Sequence, residues 1–68
     1  MIKARTTDLV MARASNGWSQ SDLAKKAGVS SSVVSRAENG ISTSAKAAKK
    51  IADALEVKVA EIFTITSE

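Results

Sequence analysis

The side chains of this chain that could do chemistry are hydrogen-bonding groups, not nucleophiles or metal ligands. The 68 residues include no cysteine and no histidine, which removes thiolate sites and the commonest general base and metal ligand. The densest polar run is Ser30–Asn39, which holds four serines and one long cation, Arg36. Such groups can bind a partner through hydrogen bonds but form no catalytic constellation. The sequence therefore predicts a binding protein that is not an enzyme and needs no cofactor or metal.

Two helices joined by a tight turn are expected to position this polar run, over Gln20–Gly40. Ala24 is small where the two helices must touch, and Gly28 tolerates the positive φ that a turn between nearly perpendicular helices needs. Val34 and Ala37 fall on the inward face of the second helix, which leaves the serine-rich face outside. The pattern indicates a helix-turn-helix unit, whose second helix is the element that enters the DNA major groove.

Apolar residues recur at helical spacing along most of the chain, which predicts five helices. We expect helices from Thr6 or Thr7 to about Ser15, from Gln20 to about Gly28, from Ser31 to Asn39, from Ala45 to Leu55, and briefly over 59–63. Capping residues are predicted at Thr6 or Thr7, at Ser19 with Asp22, at Ser30 and at Ser44. The inward face of the fourth helix is expected to carry Ala45, Ala48, Ile51, Ala52 and Leu55.

Length and composition predict one small domain with a thin core. Twelve alanines supply much of the 44% apolar content, whereas leucine occurs three times. The net charge of +3 suits a polyanionic partner only mildly. No apolar run is long enough to cross a membrane, and no signal peptide is visible. We therefore expect a soluble, cytoplasmic protein of a bacterial or phage-infected host cell.

The last residues suggest both a strand and a site of association. Ile65 stands between threonines in the tail 64–68, and this alternation allows a short strand that pairs with residues 1–4. Val59, Phe63 and Ile65 place apolar side chains near this end of a thin core. They are the residues we expect at a homodimer interface, because binding a second copy stabilises a marginal fold.

The chain resembles the lambda repressor and Cro-like helix-turn-helix family, often called the XRE family. The matching residues are Ser19–Ser30 (SQSDLAKKAGVS), Arg36–Gly40 (RAENG), Ile51–Leu55 with Val57, and Glu61–Phe63. The resemblance covers about residues 9–63. It implies an all-α, five-helix lambda-repressor-like domain, usually dimeric, that binds double-stranded operator DNA and regulates transcription.

The resemblance also assigns roles to particular residues. Base-reading positions correspond to Ser31, Ser32 and Arg36, with Ser30 and Ser35 as further groove-facing positions. Gln20 corresponds to a phosphate contact at the start of the second helix, and Lys46 lies where the fourth helix could contact phosphate. Asn39 corresponds to a DNA-backbone contact but could equally serve only as a helix C-cap. Arg13 and Glu38 correspond to a partly buried salt bridge.

The reading face is poor in bidentate groups, and this leaves two functions open. Strong base readout uses arginine, asparagine or glutamine, whereas here only Arg36 is long and bidentate-capable. Val33 is expected to be exposed, where it could touch a thymine methyl group or another protein. The first hypothesis is a repressor or Cro-type regulator that binds a palindromic operator through the helix 31–39. The second is an antirepressor that binds a larger repressor and blocks its DNA-reading surface.

The corner between the fourth and fifth helices also departs from the family. Glu56 stands where the family usually has glycine, so we expect a costly left-handed residue there. Lys58 replaces the usual capping serine or aspartate of the fifth helix, and a side-chain cap is expected to be missing.

Overall fold

Five helices and two short strands follow one another in the computed structural model, which describes residues 1–65. In chain order they are β1 (Ile2–Ala4), α1 (Thr6–Ser15), α2 (Gln20–Ala27), α3 (Ser31–Glu38), α4 (Ala45–Ala54), α5 (Val59–Ile62) and β2 (Phe63–Ile65). The predicted five-helix domain is confirmed, and it carries a small sheet in addition. No helix in this part of the chain is long and apolar enough to span a membrane.

Serine caps hold the N-termini of α2, α3 and α4, as the sequence predicted. Ser19 Oγ accepts the Asp22 backbone N–H at 3.1 Å, and the Asp22 carboxylate accepts the Ser19 N–H at 2.9 Å. The Oγ atoms of Ser30 and Ser44 accept the backbone N–H three residues further on, at 3.3 and 3.1 Å. These bonds satisfy helix N–H groups that otherwise have no partner within the helix. They fix where the helix-turn-helix begins.

The start of α1 differs from the prediction that Thr6 or Thr7 caps it. Arg5 occupies the N-cap position without a side-chain capping bond, and Thr6 is already the first helical residue. The reason lies in the strand before it, because the Arg5 backbone N–H donates to the Ile62 carbonyl at 2.8 Å. Pairing between distant segments, not the local preference of threonine, therefore sets the beginning of this helix.

The core lies between the five helices and the sheet, and it is small. Its largest fully buried side chains are Leu9, Leu23, Val34 and Ile51, one from each of the four longer helices. Ala24, Ala37, Ala48 and Ala52 are also buried, which lets the helices approach closely. Ala45 was predicted to face inward and is exposed instead, because the buried stripe of α4 begins one turn later, at Ala48.

A residue with left-handed backbone follows each of the four longer helices, and two of these residues were predicted from the sequence. Gly28 follows α2 with φ 74°, which turns the chain toward α3 as predicted. Glu56 follows α4 with φ 59°, so the expected strain at a non-glycine residue is confirmed. Lys58 precedes α5 without a side-chain cap, but its backbone N–H donates to the Glu61 carboxylate at 2.7 Å. That bond recovers half of a capping arrangement.

The predicted pairing of the two chain ends is also confirmed. β1 and β2 are antiparallel, with Ile2 opposite Ile65, Lys3 opposite Thr64 and Ala4 opposite Phe63. On its other side, β1 bridges the loop between α3 and α4, where the Thr43 N–H donates to the Ile2 carbonyl at 2.8 Å. The remaining predicted strand residues, 66–68, lie outside the described part of the chain.

Candidate nucleic-acid interface

The exposed face of α3 combines short hydroxyls with one cation. Ser31, Ser32 and Arg36 are exposed, whereas Ser35 is half-buried. Val33 was expected to be exposed and is half-buried instead, because it packs against the core. Val34 and Ala37 are buried and fix the rotation of the helix. The helix therefore projects a row of small hydrogen-bonding groups that ends in a single long, charged side chain.

Ser30 has a different role from its neighbours on the reading face. Its hydroxyl oxygen accepts the Val33 backbone N–H at 3.3 Å and so caps α3. A serine hydroxyl can still donate its own proton while it accepts this bond. Ser30 is thus primarily a cap, at a position from which its O–H can still reach outward.

A concave surface of about 210 Å³ lies beside α3 and the start of α4. Its walls are formed by Val33, Arg36, Ser42, Thr43, Ser44 and Ala47. The Oγ1 atom of Thr43 is buried there without a hydrogen-bond partner. Arg36 at one wall and the N-terminus of α4 at the other give this surface a positive potential, which favours an anionic group. Lys46 is exposed in the first turn of α4, where it adds to that potential.

Gln20 begins α2 and is held by an acid from α3. Its Nε2 donates to Glu38 Oε1 at 2.9 Å, and the residue is half-buried. One amide proton is therefore used inside the protein, and the second is left for an outside acceptor. This contact was not predicted, because the two residues are far apart in the chain and both types are common on helix surfaces.

The predicted salt bridge between Arg13 and Glu38 is confirmed, and it is bidentate. Arg13 Nε donates to Glu38 Oε2 at 2.6 Å, and Arg13 Nη2 donates to Oε1 at 3.0 Å. The remaining terminal nitrogen, Nη1, donates to the Trp18 carbonyl at 2.9 Å. The hydrogen bond with Glu38 raises the pKa of Arg13 above its ordinary value. Glu38 therefore joins α1, α2 and α3 at the base of the reading helix.

Asn39 is built as a C-cap. It follows the last residue of α3, and its Nδ2 donates to the Ser35 carbonyl at 2.8 Å. The same carbonyl also accepts the Asn39 backbone N–H at 3.1 Å, so Asn39 binds the last turn of α3 through both its backbone and its side chain. Of the two interpretations from sequence, the geometry gives direct support to the cap, and a DNA-backbone contact would use the second amide proton.

A second surface lies at the end of the domain that carries β2. A groove of about 410 Å³ is lined by Arg5, Val59, Ala60, Phe63, Thr64 and Ile65. Phe63 is nearly fully buried and forms the floor of the groove, whereas Ile65 is 74% exposed. The structure thus brings the three expected interface residues to one surface. Arg5 was not expected at this surface. It lies there because β1, which precedes it, pairs with β2.

Within residues 1–65, no cluster of three or more acidic side chains has the arrangement of a metal site.

A family model described as Helix-turn-helix matches residues 9–62, a span that includes α2, the turn and α3. No curated protein gives a significant match to the chain.

Proposed function

Because the chain belongs to the XRE-type, Cro/C1-like helix-turn-helix family of DNA-binding regulatory domains, we propose that it is a repressor or Cro-type transcriptional regulator. It binds a palindromic operator as a homodimer, with α3 of each copy in the major groove. The observation that carries the proposal is the exposed row of Ser31, Ser32 and Arg36 on a helix whose opposite face is fully buried. A reading helix needs this combination of a fixed orientation and an outward polar face.

Base readout is assigned to five positions on this face. Arg36 can form a bidentate pair with guanine, and the hydroxyls of Ser31 and Ser32 bond to base edges with little discrimination. Val33 and Ser35, both half-buried, lie at the margin, where a valine methyl packs against a thymine methyl. Sequence selectivity from one domain is low, so two half-sites and DNA shape supply the rest.

Phosphate contacts are assigned to the edges of the same surface. At the start of α2, Gln20 offers its second amide proton beside the helix N-terminus, a combination suited to phosphate. On the other side, the capped start of α4 borders the concave surface that Arg36 also borders, and Lys46 is exposed in the first turn of that helix. Asn39 contacts phosphate through its second amide proton, which the capping bond to Ser35 does not use. Two phosphate-binding edges on either side of α3 would set its register on the duplex.

The test begins with selection of the preferred operator from a pool of random duplexes. Gel-shift titrations at fixed salt then compare the unmodified chain with Arg36→Ala and Lys50→Ala, which remove the same charge from exposed positions on α3 and α4. We expect Arg36→Ala to lower affinity by about 1–3 kcal/mol and to relax selectivity at one base position. The control should retain selectivity. Equal effects of the two substitutions would contradict base readout by Arg36.

A second candidate function is an antirepressor of the same fold, acting in the cytoplasm of a bacterial or phage-infected cell. It is favoured by the short reading face, where one cation stands among small hydroxyls and a half-buried valine. Such a face could pack against the DNA-reading surface of a larger, basic repressor. This function would be favoured over the first if no duplex is enriched from the random pool and the chain forms a stoichiometric complex with such a repressor.

A further inference from the structure

The small sheet has one backbone edge that is open within residues 1–65. β1 is occupied on both sides, by β2 along its length and by the bridge from Ile2 to Thr43. β2 pairs with β1 alone among the described elements. Unpaired strand edges are templates for another strand, and proteins usually protect them with charges, prolines or bulges. β2 consists of Phe63, Thr64 and Ile65; it has no charged residue and no proline, and its short length is its main protection.

The hydrogen-bonding pattern shows which groups face the open edge. The Arg5 N–H donates to the Ile62 carbonyl, and bonded pairs in an antiparallel ladder recur every second residue. The next bonded pair is therefore Lys3 with Thr64, so that Thr64 directs its backbone groups toward β1. Phe63 and Ile65, on either side of Thr64 in β2, therefore direct their backbone groups away from β1.

Three backbone groups are left at this edge. The Phe63 N–H is already taken by the Val59 carbonyl at the end of α5. The Phe63 carbonyl and both the N–H and carbonyl of Ile65 then remain on the outward side. A donor and an acceptor two residues apart on one strand match the same two groups on an antiparallel copy of that strand.

The groove beside the edge suits an apolar side chain. It has a volume of about 410 Å³ over Phe63 and Val59. Among the described residues that line it, Arg5 is the charged one, and its side chain donates to Thr64 Oγ1 at 3.2 Å and to the Glu61 carbonyl at 3.3 Å. An uncharged strand can therefore approach without facing an unbound cation. Ile65, at 74% exposure, is the apolar side chain that this chain itself presents at the edge.

We propose that a second copy of this chain adds its β2 to β2, in antiparallel register centred on Thr64, to give one four-stranded sheet. In this register the Ile65 N–H of each copy donates to the Phe63 carbonyl of the other. Ile65 of the second copy then lies opposite Phe63 and on the same face, where it enters the groove. The arrangement is two-fold symmetric, so every contact is made twice. The inference rests on the proposed homodimer and specifies how it forms.

The size of the contact sets its strength. Specific interfaces bury about 1,200–2,000 Å² in total, whereas three strand residues and one groove per copy supply less than this. The free dimer is therefore weak, with a dissociation constant in the micromolar range or above. Binding to the two halves of one operator places the copies together and completes the pairing.

A cysteine cross-link tests the register directly, because the chain contains no cysteine. The two Thr64 residues would form a non-hydrogen-bonded pair, with Cα atoms about 4.5 Å apart, within the range that a disulfide spans. After oxidation of Thr64→Cys without DNA, we expect a disulfide-linked dimer on a non-reducing gel. Met11→Cys, exposed on α1, is the matched control and should remain monomeric. Equal cross-linking of the two variants would overturn the proposed register.

Sedimentation of the cysteine-free chain separates this inference from the proposed function. Ile65→Lys should weaken self-association at least ten-fold, whereas Met11→Lys should leave it unchanged. Circular dichroism checks that both variants are folded. A dimer that survives Ile65→Lys and does not cross-link through Thr64→Cys would overturn the β2 pairing and leave the homodimer standing. A chain that occupies its operator as a monomer would overturn both.

Discussion

Glu38→Ala should destabilise the fold more than any substitution at the protein surface. The side chain of Glu38 is 6% exposed and accepts three hydrogen bonds, two from Arg13 and one from Gln20. Breaking a buried ion pair by removing one partner costs about 3–5 kcal/mol. Arg13 is 18% exposed and keeps its bond to the Trp18 carbonyl, so water reaches it in part. The lower end, about 3 kcal/mol, is therefore expected.

This loss is large for so small a domain. At about 0.05–0.15 kcal/mol per residue, the free energy of unfolding of the whole chain is roughly 3–10 kcal/mol. A loss of about 3 kcal/mol should lower the midpoint of thermal unfolding by about 12–24 °C. Circular dichroism at the helix band, in thermal and urea titrations, measures both quantities.

An exposed ion pair provides the matched control. Lys49 and Asp53 form an i,i+4 pair at 2.9 Å with side chains 69% and 59% exposed, and such pairs contribute about 0.5 kcal/mol or less. Asp53→Ala should therefore change stability little. Replacing both members of the buried pair, as in Arg13→Met with Glu38→Leu, should recover most of the loss. Equal losses in Glu38→Ala and Asp53→Ala would refute the argument from burial.

Three further substitutions test the helix ends. The hydrogen bonds from the Ser19 backbone N–H and hydroxyl lower the pKa of Asp22 below its ordinary 3.8. The ionised Asp22 carboxylate therefore stabilises the fold above pH 4, and this stabilisation is lost as the pH falls through the lowered pKa. Asp22→Asn should flatten acid unfolding in that range, and an unchanged pH profile would contradict this. Glu56→Gly should raise the free energy of unfolding by about 0.5–1 kcal/mol, because φ is 59° there, and a decrease in urea titrations would contradict it. Gly28→Ala should cost about 1 kcal/mol, since φ is 74° but a Cβ would meet no atom within 4 Å; a much larger loss would indicate steric conflict instead.

The parts of the fold that depend on local sequence were predictable. Ser19 with Asp22, Ser30 and Ser44 mark helix starts by hydrogen bonds within three residues, and Gly28 marks a turn through its own backbone freedom. The helical spacing of apolar residues then gives the inward faces. For these features, the information that sets the structure lies within one or two helical turns of the residue concerned.

Features that depend on distant pairing were harder to predict. Arg5 displaces the threonines as the N-cap of α1 because its N–H is bound to Ile62, far along the chain. The bond from Gln20 to Glu38 likewise depends on how α2 and α3 cross. The salt bridge of Arg13 with the same acid was predicted, but through the family resemblance, not through spacing. On the exposed face of α3, Ser31, Ser32 and Arg36 are outside as the sequence indicates, whereas Val33 is half-buried because it packs against the core.

The central position of β1 also has a thermodynamic consequence. On one side this strand holds β2, and on the other it holds Thr43, which forms part of the concave surface shared with Arg36. In the dimer that we propose, pairing at the β2 edge would therefore also restrain the loop beside α3. If the chain dimerises and binds an operator as we propose, the two equilibria are linked reciprocally: operator DNA should tighten self-association by the same factor by which self-association tightens DNA binding. Three residues of strand would thus make a weakly dimeric protein respond cooperatively to its own concentration.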